Sequence, residues 1–148
     1  MRLVVGGDHA GFELKKRVLE GLAQRGHEII HVGSFTAEMV DFPDVAKQVC
    51  KHIIDGSADR GIMVCGSGIG AAIACNKVRG MRASVVHDVY SAHQSVEHDD
   101  VQVMAIGAYI IGETLAMELI DVFLNATFST SPEFRTRVEK LDEMDALR

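Results

Sequence analysis

Five short apolar runs, each closed by glycine or polar residues and each followed by a helical pattern, restrict this chain to very few folds. Leu3-Val4-Val5 runs into Gly6-Gly7, and Leu14, Val18 and Leu22 then recur at fours, with Gly26 placed as a C-terminal cap. Glu28 to Val32 reads as a second strand. Val45, Val49 and Ile53, flanked by Ala46, Cys50 and Ile54, form an apolar stripe that ends at Gly56. Ile62 to Cys65 predicts a third strand, with a short apolar helix over Ala71 to Cys75. Ala83 to Val86 and Val103 to Ile106 predict two more, followed by helices around Tyr90 to His98 and Leu115 to Leu124. A last helix starts near Pro132 and carries Val138, Leu141 and Met144. Five βα units in series imply an α/β fold. The expected architecture is a doubly wound, five-stranded parallel sheet with helices on both faces, a Rossmann-like three-layer sandwich, plus a C-terminal helix.

Composition narrows the function. At 148 residues, 47% of them hydrophobic, the chain is sized for one domain spanning residues 1–148 with its own core. A net charge of −6 argues against nucleic acid as a partner. Three cysteines, Cys50, Cys65 and Cys75, without C-x-x-C spacing, argue against a disulfide framework or structural zinc and fit a reducing compartment. The N-terminus carries no signal-like apolar region, and no stretch approaches the roughly 20 apolar residues of a membrane span. A cytoplasmic protein with no membrane partner is the expectation.

In open sheets, ligands bind outside the carboxyl ends of the strands. Those ends carry Gly6-Gly7-Asp8-His9, Cys65-Gly66-Ser67-Gly68-Ile69-Gly70, His87-Asp88 and Gly107-Ala108-Tyr109. The glycine loop is the sharpest signal. Its amides precede a helix and can converge on an anion, and a thiol beside a helix N-terminus is expected below its usual value of about 8.5, as suits a base. A buried strand-end thiol followed by a plain turn is the competing reading.

Other loop chemistries fit less well. A cysteine phosphatase would place an arginine where Ala71 stands, and a receiver domain would place an aspartate at Cys65. Gly66, Gly68 and Ala71 satisfy a relaxed dinucleotide pattern with Asp88 about 20 residues on, but in the third βα unit rather than the first. Asp8-His9 reads either as a helix cap or as a carboxylate and imidazole converging on Cys65. His98 ends a helix, where the dipole favours a cation. His87, Asp88, His93 and His98 lack convincing ligand spacing, so no metal is expected. His27, His31 and His52 read as solvated or core-edge residues.

Taken in order, GGDHAGFELK, VDFPDVA, CGSGIG followed by A-C-N-K and G-M-R-A, the S-A-x-x-x-x-E-H-D-D segment and IGAYIIG resemble the type B ribose-5-phosphate isomerase and galactose-6-phosphate isomerase family over nearly the whole chain. The resemblance implies aldose–ketose isomerisation of a sugar phosphate through an enediolate, without a cofactor. It also implies a homodimer or dimer of dimers with sites built between subunits. Position by position, it implies Cys65 as the base, and Ser67 with the amides of Gly66, Gly68, Ile69 and Gly70 as the anion hole. One such donor contributes about 3–4 kcal/mol in a transition state. His98, from the partner subunit, matches the ring-opening histidine, and Asp8 a sugar-oxygen contact. His9 and Arg137 match phosphate-side residues, and Asn76 a polar residue near the reacting end.

The departures lie at the far end of the implied pocket. Tyr109 stands where the family usually has an arginine, Ser131-Pro132-Glu133-Phe134 replaces a G-G-R-H segment, Asp99 replaces an asparagine, and Phe42 a tyrosine. Hydrogen bonds to charged groups contribute roughly 1.5–3 kcal/mol each, so losing two arginines weakens phosphate binding unless something compensates. The expectation is retained chemistry, on ribose 5-phosphate or on a tetrose or hexose phosphate. A non-catalytic nucleotide or sugar-phosphate binding module, and a subunit needing a different partner chain, are the alternatives.

Overall fold

The computed structural model describes the whole chain, Met1–Arg148. Its elements run β1 (Arg2–Gly7), α1 (Phe12–Gln24), β2 (Glu28–Gly33), α2 (Phe42–Ile54), β3 (Arg60–Cys65), α3 (Ile69–Asn76), β4 (Ala83–Val85), α4 (Val89–Glu97), β5 (Val103–Gly107), α5 (Glu113–Asn125) and α6 (Pro132–Ala146). The five strands form one parallel sheet in the order β2-β1-β3-β5-β4.

Handedness explains the layers. From β1 to β2 and from β4 to β5 the chain steps in one direction across the sheet; from β2 to β3 and from β3 to β4 it steps in the other. Right-handed crossovers then send α1 and α4 to one face and α2 and α3 to the opposite one. The core divides accordingly. Leu3 and Val5 of β1, Ile62 and Val64 of β3, and Met104 and Ile106 of β5 pack with α1, α4 and α5. Val4, Met63, Cys65, Val103 and Ala105 pack with α2 and α3. The two-residue period of a strand therefore decides that Cys65 faces α2 and α3.

Gly26 and Gly56, expected as helix stops, have φ of +75° and +74°, the left-handed conformation that ends a helix. The helix expected over Ala71 to Cys75 begins two residues earlier, at Ile69. α6 departs from expectation in packing. Val138 is its one buried residue, whereas Leu141 and Met144 are exposed. The helix is held over the β4 edge by polar contacts instead: Arg82 to Asp142 at 2.7 Å and the Gly80 amide to Asp145 at 2.5 Å. No helix is long and apolar enough to cross a membrane.

Candidate active site

β1 and β3 are neighbours, yet α1 and α3 leave them on opposite faces, which opens a crevice at their carboxyl ends. A pocket of about 310 Å³ occupies it, lined by Asp8, Ala10, Phe42, Cys65, Gly66, Ser67, Gly70 and Tyr109. Cys65 is only 5% exposed, but that exposed edge opens into the pocket. The thiol is thus buried at its strand end, as the competing reading has it, and also lines a cavity.

The glycine loop sets the floor. Gly68 turns with φ +81°, and its amide donates to Cys65 Sγ at 3.1 Å, fixing the sulfur at the mouth of α3. Ser67 Oγ accepts from the Ile69 amide at 3.3 Å, which leaves the hydroxyl proton free to donate outward. The Gly70 and Ala71 amides in the first turn have no acceptor in the chain, as helix starts require, and the helix dipole adds to their pull on an anion. Replacing Gly68 by alanine is expected to cost about 1–2 kcal/mol for the left-handed backbone, with the new Cβ pressed against Ala105 O at 3.2 Å. A urea denaturation curve would read that loss, and kcat is expected to fall on the order of tenfold or more as the loop shifts.

The β5 exit is stitched to this loop. The Ala108 amide donates to Cys65 O at 2.8 Å and the Tyr109 amide to Gly66 O at 3.0 Å, so the Tyr109 ring lies over Gly66. Phe42, at the start of α2, lies over Gly70 in the same way. The Gly107 amide donates to His87 Nε2 at 2.8 Å, and burial pushes His87 below the usual histidine value, so its proton sits on Nδ1. Asp8 completes the pocket from β1, 7% exposed, with Oδ1 accepting from the Gly11 amide at 3.1 Å. His9 follows it, with Nδ1 buried and unpartnered.

One copy of the chain does not bring every expected residue here. His98 caps the end of α4, stacked on the Phe134 ring at 3.7 Å, and Arg137 lies 5.5 Å from that ring's centre on its own helix. These three form a second cluster outside the Cys65 pocket. Asp99 is exposed, and its carbonyl accepts from Arg82 Nε at 3.0 Å. Asn76 lies away from Cys65 within this copy. It ends α3, and its amide group pairs with Ala83, accepting from the Ala83 amide at 2.7 Å and donating to its carbonyl at 2.8 Å. α3 runs back along the sheet, so its last residue meets the start of β4, not a strand's carboxyl end. The Ile69 amide is taken up by Ser67 Oγ, and its side chain points outward at 57% exposure.

Asn76 and Asp99 line a larger hollow of about 820 Å³ instead. Its guanidinium groups are already occupied: Arg82 by Asp100 and Asp142, Arg148 by Asp145 and the Asn76 carbonyl. The smaller pocket is the candidate, because thiol, carboxylate, hydroxyl and unpaired amides converge there. Sequence reasoning missed Ala10, and marked Phe42 only as a departure; a wall made by ring contact on a glycine leaves no signal in spacing. No three His, Cys, Asp or Glu side chains converge to hold a metal ion.

An open parallel sheet with a thiol and an amide cradle at its switch point defines a class of small-molecule α/β proteins, with an anion-accepting pocket at the strand ends. Residues 3–141 match the Ribose/Galactose Isomerase family, and the chain belongs to it. It is 37% identical over 145 residues to ribose-5-P isomerase B of Listeria innocua, covering 98% of this chain and 97% of that protein. It is 40% identical over 129 residues to D-erythrulose-4-phosphate isomerase of Pectobacterium atrosepticum, covering 86% and 85%. A solved structure of ribose-5-phosphate isomerase B from Clostridium thermocellum superposes with a TM-score of 0.95 at 39% identity, covering 99% and 98%. The doubly wound parallel fold expected from the sequence is the observed one.

Proposed function

We propose that this chain interconverts the aldose and ketose forms of a sugar phosphate of four or five carbons, with Cys65 as the base. The observation that carries the reading is the Cys65 sulfur, held by the Gly68 amide and facing a pocket shared with Asp8 and Ser67. The thiolate takes the proton from the carbon beside the carbonyl. The carbonyl oxygen becomes the enediolate oxyanion, held by Ser67 Oγ and the α3 amides. A proton then passes from the adjacent hydroxyl to that oxygen, and Cys65 returns its proton to the former carbonyl carbon, leaving the carbonyl on the neighbouring carbon. Asp8 accepts a hydrogen bond from a sugar hydroxyl.

His98, Asp99 and Arg137 enter this scheme from a second copy. In a homodimer or dimer of dimers, the His98–Phe134–Arg137 cluster of one subunit faces the Cys65 pocket of the other. His98 then opens the ring of a five-carbon substrate, a step that a four-carbon 4-phosphate, whose esterified O4 cannot close a furanose, does not need, while His9 and Arg137 meet the phosphate. The exposed apolar side chains Ile69 and Ile73 on α3, Tyr109 and Ile110 after β5, and Leu141 and Met144 on α6 supply surface for such contact. Three free thiols suit a cytoplasmic, reducing setting.

Substrate length is where this chain departs from a pentose enzyme. The Phe42 and Tyr109 rings narrow the pocket, and no arginine stands at position 109. The relative acting on D-erythrulose 4-phosphate, by its name, supports a four-carbon substrate. The test compares isomerisation of four-, five- and six-carbon sugar phosphates in deuterium oxide. Deuterium is expected beside the carbonyl, with the four-carbon substrate fastest. A clear preference for ribose 5-phosphate returns the specificity to pentoses, and no turnover of any sugar phosphate defeats the isomerase reading.

A further inference from the structure

Asp8 and Lys15 are the two charged side chains buried in this chain, and they lie at the same strand end. Lys15 is 1% exposed, and the proton-transfer scheme does not use it. A closed circuit of contacts joins the two. The Gly11 amide donates to Asp8 Oδ1 at 3.1 Å, and the Lys15 amide to the Gly11 carbonyl at 2.8 Å. Lys15 Nζ donates to the Ser34 carbonyl, and the Ser34 amide donates to the carbonyl of Gly7, the residue before Asp8, at 3.0 Å. The lysine stem crosses the end of β1 so closely that a Cβ on Gly7 would lie 3.0 Å from Lys15 Cδ.

Holding an ammonium group in this place is costly. Burial lowers Lys15 from 10.5 to about 8, against the opposing pull of Asp8. The unfolded chain therefore binds more protons than the folded one between about 8 and 10.5, and unfolding free energy rises with pH across that window. The titratable groups facing Lys15 are Asp8 at the β1 exit and His31 on β2. His31 is pushed down by its own burial and by the nearby Lys15 charge, so it stays neutral and offers no competing cation.

We propose that Lys15 is a positioning residue for the reaction: its buried ammonium group, clamped to Ser34, supplies the counter-charge that fixes the Asp8 carboxylate in the pocket beside Cys65. Only the kinetic arm of its test rests on the isomerase reading.

The experiment follows the Gly11 amide, which donates to Asp8, by nitrogen-15 NMR across pH in the full chain without substrate. It is repeated in Lys15→Met, which removes the charge, and Lys15→Arg, which keeps it at every pH used. The wild-type resonance is expected to inflect near pH 8, and both variants to lose that inflection. At pH 7, Lys15→Met is expected to lower kcat/KM roughly 10²-fold while still unfolding in one cooperative transition, with Lys15→Arg recovering most of the loss. Above pH 8, wild-type kcat/KM is expected to fall and that of Lys15→Arg to hold. Wild-type activity in a folded Lys15→Met, or an inflection that survives both substitutions, overturns the proposal. A wild-type titration with no inflection near pH 8 overturns it even where neither variant folds. If the inflection behaves as expected but no sugar phosphate is turned over by the wild type, the isomerase reading fails while the Lys15–Asp8 coupling stands.

Discussion

Cys65→Ala is expected to lower kcat roughly 10³-fold or more, the upper part of what a positioned acid–base group contributes, while leaving the fold intact. The side chain lost is small and already opens onto the pocket, so no sealed void forms. One amide, that of Gly68, loses its sulfur acceptor, at about 1 kcal/mol. The melting midpoint is therefore expected to move by roughly 2–4 °C, and solvent deuterium to stop entering the sugar. A variant that still exchanges deuterium at the wild-type rate moves the base elsewhere. The same protein tests the shared site. In the proposed dimer, and on ribose 5-phosphate, whose ring must open, Cys65→Ala mixed and reassembled with His98→Ala is expected to recover about a quarter of wild-type activity, because half the dimers would be mixed and each would hold one intact site. No recovery after subunit exchange places both groups in one copy's site or removes His98 from the reaction.

Gly11→Ala is expected to be the most disruptive single-methyl change in the molecule. A Cβ there would lie 2.1 Å from the Val64 carbonyl oxygen, 2.5 Å from its carbon and 2.9 Å from the Cys65 nitrogen. All three are backbone atoms of the central strand, so no side-chain rotation relieves the clash. Either the start of α1 lifts away or the end of β3 moves, at a cost on the order of 3 kcal/mol or more. Activity falls with it, since Gly11 holds Asp8 and β3 holds Cys65. Urea denaturation alongside kcat would separate the two losses. A stability within about 1 kcal/mol of wild type would mean that the α1 entry is far softer than its packing indicates.

Much of the fold was legible because burial imposes periodicity. Apolar runs marked all five strands, and Gly26 and Gly56 marked two helix stops. Strand order was less accessible. The placement of β5 between β3 and β4 follows from crossover direction, which no local run of residues encodes. Within the site, Cys65, the glycine loop and Asp8 were visible because strand ends and glycine spacing are local features. Lys15 was not. It shares a helix face with Leu14, Val18 and Leu22, but a lysine reads as a solvent residue until its neighbours are known. The same holds for α6, whose Leu141 and Met144 continue the apolar pattern from Val138 yet stay outside this copy's core. The Asn76 role came from likeness alone, since pairing of its amide with Ala83 is no local sequence feature.

The thin attachment of α6 has an evolutionary consequence. Cys65 ends the innermost strand, where almost any change disturbs the whole sheet. The terminal helix commits only Val138 to the interior and is pinned by Asp142 and Asp145, so its other exposed positions can drift at little thermodynamic risk. A lineage built this way can rewrite the outer face of its tail while the sheet and its central crevice stay as they are.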